Sequence, residues 1–169
     1  MLASIARIIF SGTVASVITA AGLAALSKAE GRHPLAPINA TSHWLFGDKN
    51  IKLDGFHPQQ TLIGFATHHA SAIFWALVYE YGTPRWVPKG YHEAAAAPTA
   101  IFAALLDYGL LPRRISPGWE LAVSKKSVGA GFVLLGAGLA IGRTMFDRRT
   151  KRSALGSRSK RFARAGELW

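Results

Sequence analysis

The sequence predicts an all-α integral membrane bundle of four transmembrane helices. Half of the 169 residues are hydrophobic, these residues come in long blocks, and the charged residues collect between and after the blocks. This pattern is typical of a membrane protein rather than of a soluble domain with one core. The predicted spans cover about residues 6–27, 61–81, 94–111 and 119–142.

The first predicted span contains twenty residues without a charge, Ile8 to Ser27. About 20 apolar residues are enough to cross a hydrocarbon layer of ~30 Å. The apolar region is longer than that of a signal peptide, so we interpret it as a retained helix. Small residues recur in it at every fourth position, where they allow another helix to approach closely: Gly12, Ser16, Ala20 and Ala24.

The connection that follows, Lys28 to Gln60, is long enough to hold structure of its own. Four apolar residues predict one side of a short interfacial helix, because tryptophan is favoured in the headgroup region. They are Ile38, Trp44, Leu45 and Phe46, and Gly47-Asp48 is expected to end the helix.

The second predicted span carries two adjacent histidines, His68 and His69, and a glutamate, Glu80. An ionisable group at membrane depth costs about 2.5 to 3.5 kcal/mol on insertion scales, so such groups often mark function. His69 and Glu80 share one helical face but lie about 16 Å apart along the axis. Each is therefore expected to find partners on other helices. Alternatively, one histidine bonds a neighbouring helix and Glu80 lies at the interface.

The third and fourth predicted spans also contain ionisable groups. Asp107 lies near the far end of the third span. The clearly apolar part of the fourth span, Val128 to Gly142, has only fifteen residues. Extending it back to Trp119 supplies the length but includes Lys125 and Lys126. These lysines are expected to reach the interface, or one of them to pair with Asp107.

Charge distribution predicts the orientation. Nine of the twenty Lys and Arg residues lie between Arg143 and Trp169. We therefore divide the chain into a transmembrane domain, 1–142, and a basic cytoplasmic tail, 143–169, with both termini in the cytoplasm. The tail is expected to contact anionic lipid headgroups rather than nucleic acid. The residues that we assign to lipid contact are Arg148, Arg149, Lys151 and Arg152.

A set of polar residues forms the candidate site: His43, His68, His69, Glu80, Asp107 and Lys125. The predicted topology brings all of them except Glu80 to the outer half of the bundle. Imidazole and carboxylate groups suit a transition metal, with His68, His69 and Asp107 as ligands, or a proton relay. His68 or His69 could also bind a haem or a chlorophyll-type pigment. The alternative is a structural hydrogen-bond cluster, and we expect no cofactor.

The second half of the chain resembles small bacterial inner-membrane proteins of the YagU type. The matching features are Thr67-His68, Tyr79-Glu80, Trp86 and the turn Leu110-Leu111-Pro112. The resemblance covers about half the chain, from the second to the fourth predicted span. It implies a bacterial inner-membrane location, and that family is linked to acid tolerance.

Several function classes are disfavoured by the sequence. It contains no cysteine, which excludes disulfides, thiolate metal sites and cysteine nucleophiles. It also contains no phosphate loop, nucleophile elbow or zinc-protease motif. We therefore expect a structural or accessory membrane protein, part of a larger complex or self-associating, rather than an enzyme. The alternative is a proton- or metal-linked carrier or sensor.

Overall fold

The chain is all-helical in the part that the structure describes. This computed structural model describes residues 2–83, 91 and 93–166, and the predicted all-α class is confirmed. Trp86, one of the residues that carry the family resemblance, lies outside the described ranges. The α-helices are α1 Leu2–Ala29, α2 Ala36–Thr41, α3 His43–Phe46, α4 Pro58–Gly82, α5 Ala96–Leu105 and α6 Lys125–Gly166.

Three of these helices are long and apolar enough to cross a membrane. Their apolar segments are Ser4–Ala29, Pro58–Gly82 and Lys125–Ser153. The predicted third span corresponds to a shorter apolar helix, Ala96–Leu110, whose second part is a π-helix, Leu106–Leu110. At 1.5 Å per residue this helix is only about 22 Å long. The sequence predicted four full spans, and the described residues contain three helices of that length.

The last helix differs from its predicted limits at both ends. It begins at Lys125 rather than at Trp119, which belongs to a separate 3₁₀ turn. It also continues past residue 142 as one helix to Gly166, because no proline interrupts it. The first part of the predicted tail is therefore a direct extension of a core helix.

Residues from two parts of the chain cap the start of α6. The Ser124 Oγ atom accepts the Ser127 N–H at 3.3 Å, as an N-cap side chain does. The Glu30 carboxylate accepts the Ser127 hydroxyl at 2.5 Å and the Ser124 N–H at 2.8 Å. These donors hold the pKa of the Glu30 carboxyl below its usual range. The end of α1 is thus attached to the start of α6.

The four longer helices pack in an antiparallel order. A Cβ added at Gly138 would lie 2.5 Å from the Ala15 Cα, and one at Gly142 would lie 2.7 Å from the Ser11 Cα. The α1 and α6 backbones are therefore nearly in contact, as small residues allow. On another face of α1, Gly12 is equally close to Ile73 of α4. Gly12, one of the small residues that the sequence marked on α1, is thus used inside the chain.

Two connections fold together over one end of the bundle, and we call them the cap: residues 30–57 and 111–124. The predicted interfacial helix is divided into two short helices, α2 and α3. All residues of α2 are buried, so this helix packs inside the protein rather than at its surface. Gly64 of α4 allows the Ile38 carbonyl to approach the helix backbone. Asn39 is fully buried and donates to the carbonyls of Lys52 and Gly55 at 3.0 and 2.8 Å.

Candidate binding cavity

A cavity of about 610 Å³ lies between the cap, the helices α4 and α6, and the π-helical segment Leu106–Leu110. Its wall is mainly apolar and includes five aromatic side chains: Trp44, Phe74, Trp75, Trp119 and Phe132. The polar side chains of the wall are fewer: Thr41, Thr67, His68, Ser71, Asp107 and Ser116. A mainly apolar cavity of this volume with a few polar groups is typical of a small-molecule site.

Local helix geometry brings these side chains to the cavity. Residues three or four positions apart lie on the same side of a helix. On α4 this spacing brings four side chains to the cavity: Thr67, Ser71, Phe74 and the adjacent Trp75. Asp107 lies in the π-helical turn Leu106–Leu110. Such turns widen a helix locally and occur frequently at functional sites.

Asp107 is the carboxylate of the cavity wall. It takes part in no hydrogen bond or ion pair with the residues that the structure describes. The described wall also contains no lysine or arginine. The predicted pairing of Lys125 with Asp107 is not formed, because Lys125 is exposed at the start of α6. The carboxylate is therefore available to a bound molecule.

His68 is buried and lies against α1. Its Nε2 atom is 3.0 Å from the Ser16 carbonyl oxygen, so Nε2 donates and carries the proton. Its ring packs against Trp119, with 6.0 Å between the centroids. In the neutral ring the other nitrogen, Nδ1, is an acceptor. The predicted hydrogen bond from a histidine to a neighbouring helix is thus present at His68.

His69 points elsewhere, as expected for adjacent residues on a helix. Its ring stacks on Phe65 at 5.9 Å, and it is not among the residues that line the cavity. Its buried Nδ1 atom has no hydrogen-bond partner among the described residues. The proposed ligand set of His68, His69 and Asp107 is consequently not brought together, and the described residues contain no group of three potential metal-binding side chains.

His43 closes the cap above the cavity. Its Nδ1 atom is 2.8 Å from Asp48, and its Nε2 atom is 2.9 Å from the Ser116 carbonyl. His43 thereby connects Asp48 to the second part of the cap. The bond from His43 holds the pKa of the Asp48 carboxyl below its usual range. Gly118, at φ 73°, lies directly against the His43 ring, and a side chain there would be strained.

Glu80 lies at the opposite end of the bundle, far from the other candidate residues. It accepts hydrogen bonds from Arg7 of α1 and from Arg143 of α6, the latter at 2.8 Å. Arg7 also lies 3.6 Å from Asp147. We call these four residues the arginine cluster. Partners on other helices were expected for Glu80, and Arg7 and Arg143 fill that role.

The residues assigned to lipid contact lie beyond the arginine cluster on α6. Arg148, Arg149, Lys151 and Arg152 are all exposed. The Arg149 guanidinium also lies 5.0 Å from the centre of the Phe10 ring, a distance typical of a cation–π contact. At least one of these residues therefore also contributes to packing between α1 and α6.

The aromatic wall and the arginine cluster were missed in the sequence. The wall combines residues from α3, α4, α6 and the turn at Trp119. No pattern of neighbouring residues in the sequence predicts that these elements meet. The arginine cluster had a usable signal. Arg7 precedes the first apolar block, Glu80 ends the second and Arg143 ends the last, so an antiparallel topology places all three at one level.

The fold and the cavity together define a class: an all-helical protein with helices able to cross a membrane and a ligand-sized cavity next to its cap. Comparison with known proteins adds no family to this description. No family model, no curated protein and no solved structure matches the chain.

Proposed function

We propose that this protein binds a small hydrophobic molecule within the membrane, as a carrier or a sensor. The observation that carries the proposal is the cavity of about 610 Å³ with five aromatic side chains in its wall. Cavities of 300 to 1,000 Å³ with mainly apolar walls are the usual sites of drug-sized ligands. Ser71 and Thr67 on the same wall offer hydroxyl groups that can orient such a molecule.

The site lies in a chain that we propose to cross a bacterial inner membrane four times, with both termini in the cytoplasm. The antiparallel packing of α5 against α6 supports a fourth crossing by the shorter helix. The cap compensates for its length, because irregular backbone is tolerated at membrane depth where protein surrounds it. The basic residues after Gly142 support the orientation. The family resemblance to YagU-type proteins stays a prediction.

The role of an accessory subunit has less support than ligand binding. Small residues at every fourth position of the first span allow close contact with another helix. Gly12, one of them, meets Ile73 within the chain, so this part of the ridge does not call for an outside partner. A haem or pigment at His68 has less support as well, because the Nε2 atom of His68 is bonded to Ser16.

The proposal predicts that filling the cavity abolishes binding. Ser71→Phe places a ring in the cavity, whereas Ala66→Phe places the same ring on an exposed face of α4 outside the wall. Three of the five tryptophans line the cavity. Quenching of tryptophan fluorescence by 1-bromonaphthalene, a neutral aromatic quencher, therefore measures occupancy in purified protein.

We expect saturable quenching in the natural protein and in Ala66→Phe, and only the linear quenching of micelle partitioning in Ser71→Phe. If all three proteins give the same linear quenching, the cavity does not bind such molecules and the proposal is wrong.

A further inference from the structure

The cavity wall combines one unpaired carboxylate with aromatic rings, and the rest of the wall carries little polarity. Asp107 makes no ion pair with the described residues, and the described wall offers no lysine or arginine to neutralise it. The other interior carboxylate among the described residues is paired: Glu80 meets Arg7 and Arg143 at the opposite end. Asp107 is therefore the exception among the described interior groups.

An ionised carboxylate in an apolar wall lacks the water that would stabilise it, so a positive charge placed beside it is strongly favoured. The surrounding rings add to this preference, because aromatic faces attract cations within about 6 Å. The rings come from separate elements: Trp75 on α4, Trp119 in the cap and Phe132 on α6. A bulky cation can contact several of them at once, whereas a small hydrated ion cannot.

We infer that the occupant of the cavity is a lipophilic organic cation whose positive charge pairs with Asp107 and whose hydrophobic groups pack on the aromatic wall. This inference rests on the proposed function and specifies its ligand class. His68 does not oppose it, since its Nε2 proton is held by the Ser16 carbonyl and its ring presents an acceptor at Nδ1.

Two ions of the same shape and opposite charge provide the test. Tetraphenylphosphonium and tetraphenylborate each carry four phenyl groups around one central atom, so hydrophobic contacts are matched and only the charge differs. Binding of each ion to the purified full-length protein in nanodiscs is measured by isothermal titration calorimetry. The signal of nanodiscs without protein is subtracted as the contribution of the lipid.

We expect the corrected affinity for tetraphenylphosphonium to exceed that for tetraphenylborate, and Asp107→Asn to weaken the cation at least about tenfold. The same variant should leave tetraphenylborate unchanged or bind it more tightly. Glu120→Gln is the matched control, because it removes a nearby carboxylate that does not line the cavity. It should change neither affinity.

The outcomes separate the two proposals. If neither ion, nor neutral 1-bromonaphthalene, binds above the background of nanodiscs without protein, the proposed function is wrong. If the neutral probe binds but the two ions bind equally, or tetraphenylborate binds better, the cavity is a hydrophobic site and the inference of a cation is overturned. The comparison of the two ions on the natural protein decides this even where Asp107→Asn does not fold.

Discussion

Glu80 shows how a single residue can be read as functional in the sequence and be structural in the fold. A lone glutamate in an apolar helix suggests a proton or metal path. In the structure its carboxylate is 11% exposed and lies between two guanidinium groups, Arg7 and Arg143. Arg7 in turn contacts Asp147, so the arginine cluster holds two positive and two negative charges. Such an arrangement fixes the relative height of three helices.

At the residue scale we therefore predict that Glu80→Gln destabilises the protein by roughly 3–5 kcal/mol, because it leaves two neighbouring arginines without their shared partner. Thermal unfolding in mild detergent measures the change. Asp54→Asn is the control: Asp54 pairs with His57 but its side chain is 87% exposed, so its loss should be far smaller than that of Glu80→Gln. Equal losses in the two variants would show that the cluster does not hold the helices together.

At the scale of elements, the contact between α1 and α6 decides how the bundle is built. Its closeness depends on the absence of side chains at Gly138 and Gly142, where a Cβ would meet the backbone of α1. Gly129 lies on the same helix, is exposed and has no atom within 4 Å of an added Cβ. Substitutions at the contact glycines and at Gly129 therefore distinguish the effect of the α1–α6 contact from the effect of helix propensity.

We predict opposite signs for alanine at these positions. Gly138→Ala should destabilise the protein by about 1–3 kcal/mol, because the added methyl group forces the backbones apart. Gly129→Ala should stabilise it by up to about 1 kcal/mol, because alanine favours the helix and meets nothing. Chemical or thermal unfolding of both variants in the same detergent checks this. A stabilised Gly138→Ala would mean that α1 and α6 are not in close contact.

On the scale of the whole molecule, the topology can be tested directly because the chain has no cysteine. We predict that Lys49→Cys and Lys126→Cys, both exposed in or beside the cap, react with a membrane-impermeant maleimide in intact cells. Lys151→Cys, exposed past the arginine cluster, should react only after permeabilisation. Lys126 is the decisive position, because it reaches the outside only if the segment 83–124 returns across the membrane.

The sequence predicted those features that depend on neighbouring residues. The three long helices are confirmed, because a run of apolar residues is sufficient to define each of them. Asp107 was selected because it interrupts such a run, and it does line the cavity. The cavity itself was not predictable, since residues such as Trp44 and Phe132 meet only through the packing of several elements. The partner of His43 was not predictable for the same reason: Ser116 belongs to a distant connection.

The separation of His43 and Ser116 along the chain also determines when the cap can form during synthesis. The two residues are 73 positions apart, so at 5–20 residues per second Ser116 is made about 4 to 15 s after His43. For that interval the first half of the cap has no second half to pack against, and the cavity has no complete wall. The cavity is therefore completed late, once the first part of the last helix, which carries Phe132, has also been made.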